Sequence, residues 1–251
     1  MFRAVFQDAK TWRNLMAAIS TLIEEADFNA TGEGLKLRSM DPSHVAMVDF
    51  YWPKEAFEEY VCDKPTVMRV SLTSMLKLLK RSKSEESLII SYDEESRKIN
   101  LNLKGKISKN FIMPTLEPTE EEVPTPKISF NAKVRLMSET LKEIVEDSEA
   151  VSDNIRLEAT QDRLLVKASS ELSSLNMELT KDDGALIEID VKENSTATFN
   201  LTYLGEMVKA GSATSEVASL EFSTNMPIRL EFEMPQQGRL TYYLAPRIEA
   251  E

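Results

Sequence analysis

Positive charge, cysteine, histidine and glycine are all scarce in this chain, and each shortage closes off a class of function. Lysine and arginine number 30 against 42 aspartates and glutamates, a formal net charge of −12, so the chain as a whole repels phosphate. Cys62 is the only cysteine, which excludes an internal disulfide and a cysteine-based zinc site and fits a reducing compartment. Its residue type predicts a small, buried, apolar side chain. Every histidine-based general base or metal site would depend on His44, the only histidine. Asp41, Ser43 and His44 hold the side-chain types of a hydrolytic triad, yet neighbours on one short segment cannot converge as nucleophile, base and orienting acid. None of the 7 glycines is followed by Lys and then Ser or Thr, so there is no glycine-rich phosphate loop. Nothing selects a pair of carboxylates for acid–base work. No apolar run approaches the length of a membrane span and no basic-then-apolar leader opens the chain. The expectation is a non-enzyme with no catalytic residue, no metal and no cofactor.

What the chain does contain is itself, twice. Leu72 and Thr73 return as Leu201 and Thr202, and Lys80 returns as Lys209, a displacement of 129 positions measured from Leu72 to Leu201. Trp12, Arg13 and Leu15 return as Leu141, Lys142 and Ile144; Leu35, Leu37 and Arg38 return as Leu164, Val166 and Lys167. Ile99, Leu101 and Leu103 return as Ile228, Leu230 and Phe232, a period-two alternation that a strand with one buried face requires. At 251 residues and 42% hydrophobic the chain can bury two ordinary cores, and the repeat selects two. Each half reads as helix, hairpin, long loop, helix, hairpin, with turns at 31–34, 93–96 and 182–184. The fold class is α/β by content, more closely α+β, with antiparallel hairpins rather than strand–helix–strand crossovers. Four prolines and a run of glutamates at 114–126 mark an extended connector. The domains expected are 1–113 and 127–251, joined by 114–126.

Where the cations sit matters more than their sum. A helix over 74–83 puts Lys77, Lys80 and Arg81 on one side and Met75, Leu78 and Leu79 on the other. In the first helix Trp12, Leu15, Met16, Ile19, Leu22 and Ile23 form the apolar stripe and leave Arg13 outward. A solvated helix face explains any one of these. Basic residues that recur at equivalent positions of both repeats point instead to a duplicated binding surface. The helix over 136–147 dilutes that pattern with Glu139, Glu143 and Glu146.

Three further segments resemble a known family: Ser39-Met40-Asp41-Pro42-Ser43-His44-Val45, then Leu72-Thr73-Ser74-Met75 with Lys77 and Lys80, then the ending Tyr242-Tyr243-Leu244-Ala245-Pro246-Arg247-Ile248-Glu249. With Asp63 after Cys62 and the opening Met1-Phe2, the chain resembles the PCNA-type DNA polymerase sliding clamps over essentially its whole length, in an archaeal-like form. The resemblance implies two similar clamp domains per protomer, three protomers in a pseudo-sixfold ring, helices inside and sheet outside. It implies a processivity factor that encircles double-stranded DNA non-specifically and tethers DNA polymerase and other replication and repair enzymes. A clamp-like interaction scaffold that is never loaded on DNA is the alternative.

By the same resemblance Arg13, Lys77, Lys80, Arg81, Lys142 and Lys209 would face DNA. Lys109, Phe111 and Met113, from an edge strand at 108–113, would meet Leu175, Met177 and Leu179, from one at 175–179, across the subunit interface. A partner-peptide pocket would gather Met40, His44, Val45, Met47, Val123, Pro124, Pro227, Tyr243, Leu244, Ala245 and Pro246; Glu121 stands in the connector where a leucine is expected. Polymerase, clamp loader, flap endonuclease and DNA ligase would dock there through short peptide motifs. A homotrimer is favoured over a heterotrimer, with no membrane partner. The compartment is the cytoplasm, at the nucleoid, if the chain is archaeal, and the nucleus if it is eukaryotic.

Overall fold

The computed structural model describes residues 1–119 and 123–248 of the chain, so Glu121 and Glu249 lie outside the described residues. The chain forms two compact units. Unit 1 takes the described parts of Met1–Pro42, Val48–Val123 and Met234–Leu240; unit 2 takes those of Ser43–Met47, Pro124–Glu233 and Thr241–Glu251.

Unit 1 opens with strand β1 (Phe2–Phe6) and helix α1 (Ala9–Ser20). Asp8 starts α1 because its carboxylate accepts from the Lys10 and Thr11 amides at 2.8 and 3.2 Å, an N-cap that stabilises by roughly 1 kcal/mol. Trp12, Leu15, Met16 and Ile19 recur at helical spacing and are all buried. Each contributes roughly 1.5–3 kcal/mol on leaving water. Trp12 meets Phe6, Phe28 and Trp52 at centroid distances of 4.8, 6.1 and 6.4 Å, which pins α1 across the unit's strands. Leu22 and Ile23 are also buried but lie beyond the helix, which is capped at Thr21.

Strands β2 (Glu25–Thr31) and β3 (Gly34–Met40) form the expected hairpin in the register Asn29↔Lys36 and Ala30↔Leu35. Gly34 is obligatory there: a Cβ would lie 2.3 Å from the Trp52 carbonyl oxygen. The expected long loop is instead three strands, β4 (Ala46–Pro53), β5 (Glu59–Cys62) and β6 (Thr66–Ser71). Alternation failed to announce β4 because Met47 and Pro53, on its polar-face positions, are buried too. Helix α2 (Leu72–Leu79) is capped by Ser71 and ends earlier than the 74–83 expectation, so Arg81 lies past it. The stretch after Leu79 offers only Ser82 and Glu86 to the interior, and the chain turns there, Ser82 N–H donating to the Leu79 carbonyl at 2.9 Å. Strands β7 (Ser87–Asp93), β8 (Lys98–Lys104) and β9 (Lys109–Pro114) complete a sheet of order β5-β1-β7-β8-β9, while β4-β3-β2-β6 run side by side. Cys62 is half-buried, not buried as expected. It sits on edge strand β5, where its thiol donates to the Lys64 carbonyl at 3.1 Å.

Unit 2 repeats this plan. Strand β10 (Ala132–Met137) leads to helix α3 (Ser138–Glu149); β11 (Asn154–Ala159), β12 (Arg163–Ser169), β13 (Ser174–Thr180), β14 (Glu188–Val191) and β15 (Ser195–Asn200) follow; then come helix α4 (Leu201–Ser212), β16 (Val217–Phe222), β17 (Ile228–Glu233) and β18 (Arg239–Leu244). Helices α1 and α3 start at Ala9 and Ser138, α2 and α4 at Leu72 and Leu201, so both pairs keep the displacement of 129 positions. The strand orders match as well, β14-β10-β16-β17-β18 and β13-β12-β11-β15. The turn at 182–184 does not close a hairpin, because β13 pairs with β12 and β14 with β10. Gly211 lets α4 approach β17, since a Cβ there would lie 2.0 Å from the Phe232 ring.

Candidate nucleic-acid interface and partner surface

The helices of unit 1 present cations without acids. Neither α1 nor α2 contains an aspartate or glutamate, and Lys77, Lys80 and Arg81 are exposed. No ion pair among the described residues engages these three. Lys10 on α1 and Lys83 in the turn after α2 are exposed as well. Repeat comparison passed over Lys10 because its counterpart is Glu139. Single cations at the ends of helices carry no periodic signal of their own.

Arg13 departs from the expectation of a free phosphate ligand. It is half-buried, and its Nη1 donates to the carbonyls of Lys80 and Ser82 at 3.3 and 3.2 Å, while Nη2 donates to Asn14 Oδ1 at 3.3 Å. The end of α2 has carbonyls with no helical donors and carries the negative pole of the helix dipole, so a guanidinium suits it. Arg13 therefore holds α1 to the end of α2.

Unit 2 has the opposite balance. On α3 the exposed positions are Glu139, Glu143, Glu146, Asp147 and Glu149. Lys142 is paired with Glu139 at 3.1 Å, and that partner raises its pKa. Lys209, in the last turn of α4, is exposed with Glu206 one turn before it.

The expected subunit edges are sheet edges: among the described residues β9 pairs only with β8, and β13 only with β12. Met113 and Leu179 are buried within their own units at 4% and 5% exposure, so they serve the cores and not an open contact. Lys109 donates to Glu86 Oε1 at 2.6 Å and is likewise committed at home. Phe111, Leu175 and Met177 are half-buried and remain available. Ile112, 59% exposed on the other face of β9, was missed because it breaks the alternation of Phe111 and Met113.

The pocket expectation divides by depth. Met47 and Leu244, at 3% and 1% exposure, belong to the core, a correction that follows from their places on β4 and β18. Val45, Pro227, Tyr243, Ala245 and Pro246 are half-buried in unit 2, and His44 and Pro124 of the same unit are exposed. Met40 and Val123 are half-buried in unit 1. His44 adopts φ 56°, the left-handed turn that carries the chain from β3 into β4. The tail beyond β18 is fastened: the Ala245 amide donates to the Val45 carbonyl at 2.9 Å and the Arg247 amide to the Thr198 carbonyl at 2.7 Å. Ile248, beyond these bonds, is exposed. The connector begins equally fastened, Leu116 N–H donating to the Arg69 carbonyl at 2.8 Å and Thr119 Oγ1 to Asp27 Oδ2 at 2.5 Å.

This duplicated architecture matches a family twice over. Residues 1–117 match the N-terminal domain, and residues 124–247 the C-terminal domain, of the proliferating cell nuclear antigen family. The chain belongs to the proliferating cell nuclear antigen family. Among family relatives, the "DNA polymerase sliding clamp 3" of Aeropyrum pernix is 38% identical over 248 residues, 98% of each chain. The "DNA polymerase sliding clamp" of Thermofilum pendens is 34% identical over 249 residues, 99% of this chain and all of that one. The crystal structure of PCNA from Thermococcus kodakaraensis superposes with a TM-score of 0.93 at 26% identity, covering 98% of this chain and all of that one. The PCNA2–PCNA3 complex from Sulfolobus tokodaii gives 0.91 at 27%, with the same coverage. The family expected from the three sequence segments is therefore the family found.

Proposed function

We infer that the chain works as a DNA sliding clamp: three copies close into a ring around duplex DNA and tether the replicative polymerase and other replication and repair enzymes. The observation that carries this reading is the cationic, acid-free helix pair of unit 1 in a chain of net charge −12. Charge of that sign, gathered on one surface of an acidic protein, suits a lining that touches phosphate while the rest of the surface repels it. Contacts to phosphate alone fix no register, so the ring slides. Lys77, Lys80 and Arg81 make most of the contact, with Lys209 adding from unit 2 and Lys142 contributing little because Glu139 holds it. The chain itself is non-catalytic and needs no cofactor.

Ring closure joins β9 of one copy to β13 of the next, which hides two open sheet edges. Carrying both edges, one chain suffices for a homotrimer. Partner enzymes, with a clamp loader, flap endonuclease and DNA ligase among them, insert short apolar peptides beside Val45, Pro227 and Tyr243–Pro246. In an archaeal cell the ring works in the cytoplasm, at the nucleoid.

The experiment is topological. Rings loaded on closed circular DNA should stay through a high-salt wash and leave when the circle is linearised. Retention indifferent to linearisation would sink the sliding ring, and failure to load at all would favour the scaffold that never encircles DNA.

A further inference from the structure

Asp41 and Glu86 are the carboxylates buried among the described residues, and Glu86 has no part in the surfaces assigned above. It lies in the turn after α2, one residue before β7. Its Oε1 accepts from Lys109 Nζ on edge strand β9 at 2.6 Å, and its Oε2 accepts from the Lys83 amide at 3.0 Å. Its own carbonyl accepts from the amide of Ala9, the first residue of α1, at 2.9 Å. Ser82 Oγ donates to the Ala9 carbonyl at 3.4 Å, and Arg13 closes the same turn from α1. Gly105, in the loop between β8 and β9, lies so close that a Cβ there would be 2.8 Å from Glu86 Cγ. One side chain, 7% exposed, is thus held at once by the edge strand and by the turn that carries Lys80, Arg81 and Lys83.

We propose that Glu86 is a positioning residue that couples the β9 edge to the basic turn after α2, so that docking of a second copy along β9 sets that turn for phosphate contact. This rests on the clamp reading, in which β9 is an assembly edge and the end of α2 meets DNA. In a lone copy β9 has one ladder and an open side, the kind of segment that frays at low cost. Pairing its open side steadies Lys109, Lys109 steadies the Glu86 carboxylate, and the carboxylate steadies the Lys83 amide. Thermodynamic linkage makes the effect mutual, so phosphate on the turn also favours closure at the edge.

The sign of a charge-removing substitution separates positioning from simple electrostatics. Glu86→Gln deletes a negative charge beside the basic turn, which by Coulomb attraction alone tightens DNA binding; loss of positioning weakens it. Full-length wild type, Glu86→Gln and Lys109→Met are compared for binding of a short duplex by fluorescence anisotropy. Hydrogen exchange at the Lys83 and Ala9 amides is followed above and below the assembly concentration. Glu86→Gln should weaken duplex binding on the order of fivefold, and Lys109→Met should add nothing further in the double variant. Wild-type Lys83 should gain protection on assembly, and both variants should lose that gain. Tighter or unchanged binding by Glu86→Gln, with wild-type protection, overturns the proposal. If Glu86→Gln does not fold, Lys109→Met carries the test through the amide readout. A wild type that neither assembles nor binds duplex overturns the clamp reading and this coupling together; a wild-type clamp matched by both variants overturns the coupling alone.

Discussion

Arg13 shows how spacing can place a residue on a helix face without disclosing what its side chain bonds. Its spacing puts it on the outward side of α1, yet its guanidinium reaches the Lys80 and Ser82 carbonyls. Charged hydrogen bonds of this kind are worth more than neutral ones, but Arg13 is only half-buried and water competes. Arg13→Lys keeps the charge and loses the fork. It should lower stability by about 1 kcal/mol in thermal or denaturant unfolding, with duplex binding falling only as far as the loosened α2 end moves its neighbours. Duplex binding lost in Arg13→Ala but kept in Arg13→Lys, with stability unchanged in both, would return Arg13 to the phosphate-binding set. Glu86 gives the pH counterpart. The Lys109 ammonium holds its carboxyl below the ordinary value of 4.5, so the ionised form favours the folded state. That contribution is complete above the ordinary value and disappears as pH falls through the lowered folded one. Unfolding measured from pH 6 downward, values chosen as roughly spanning carboxylate titration, should show a shallower acid decline in Glu86→Gln than in wild type.

At the scale of elements, legibility followed burial pattern. Strands β8 and β17 announced themselves because Ile99, Leu101 and Leu103, and Ile228, Leu230 and Phe232, are buried in a core while the polar residues between them are only half-buried. Helix α1 did so because its stripe is wide and uninterrupted. Strand β4 stayed hidden because both its faces are covered, and the pairing of β13 and β14 stayed hidden because a tight turn does not say whether its flanking strands share a sheet. The basic face of α2 was legible for the same reason as its core, amphipathic spacing; that Arg13 and Lys142 are engaged was not, since their partners are carbonyls across a helix pair and an acid one turn away. The edge strands lend themselves to a clean test. Phe111 faces its own sheet opposite Leu101, so Phe111→Asp should both lower stability and release monomers. Ile112 is largely exposed, so Ile112→Asp should leave monomer stability within about 0.5 kcal/mol of wild type. It should still weaken assembly roughly tenfold if the residue becomes buried against a neighbour. Light scattering across a dilution series reads both, and an unchanged midpoint in Ile112→Asp would move the contact off that face of β9.

For the whole molecule, the duplication kept the fold and let the charge diverge. Positions that carry Lys10, Asn14, Ala17 and Lys77 in unit 1 carry Glu139, Glu143, Glu146 and Glu206 in unit 2, while Lys80 and Lys209 agree. In the ring proposed above, strongly and weakly cationic helix pairs would alternate, and the duplex would be held by every second domain. Because phosphate affinity grows with the number of counterions released, the logarithm of the binding constant should fall with the logarithm of salt at a slope set by unit 1. Reversing charge in unit 2 with Glu143→Lys and Glu146→Lys should steepen that slope, by about 0.9 for each phosphate newly contacted, and tighten binding at low salt. Lys77→Glu with Lys80→Glu in unit 1 should flatten it and abolish measurable binding to short duplex. Neither pair touches a buried position, so assembly and melting should stay close to wild type. Anisotropy titrations of one duplex across a salt series measure the slopes directly. An unchanged slope in Lys77→Glu with Lys80→Glu, or no gain from the lysines added to α3, would mean that the charge divergence serves something other than phosphate contact.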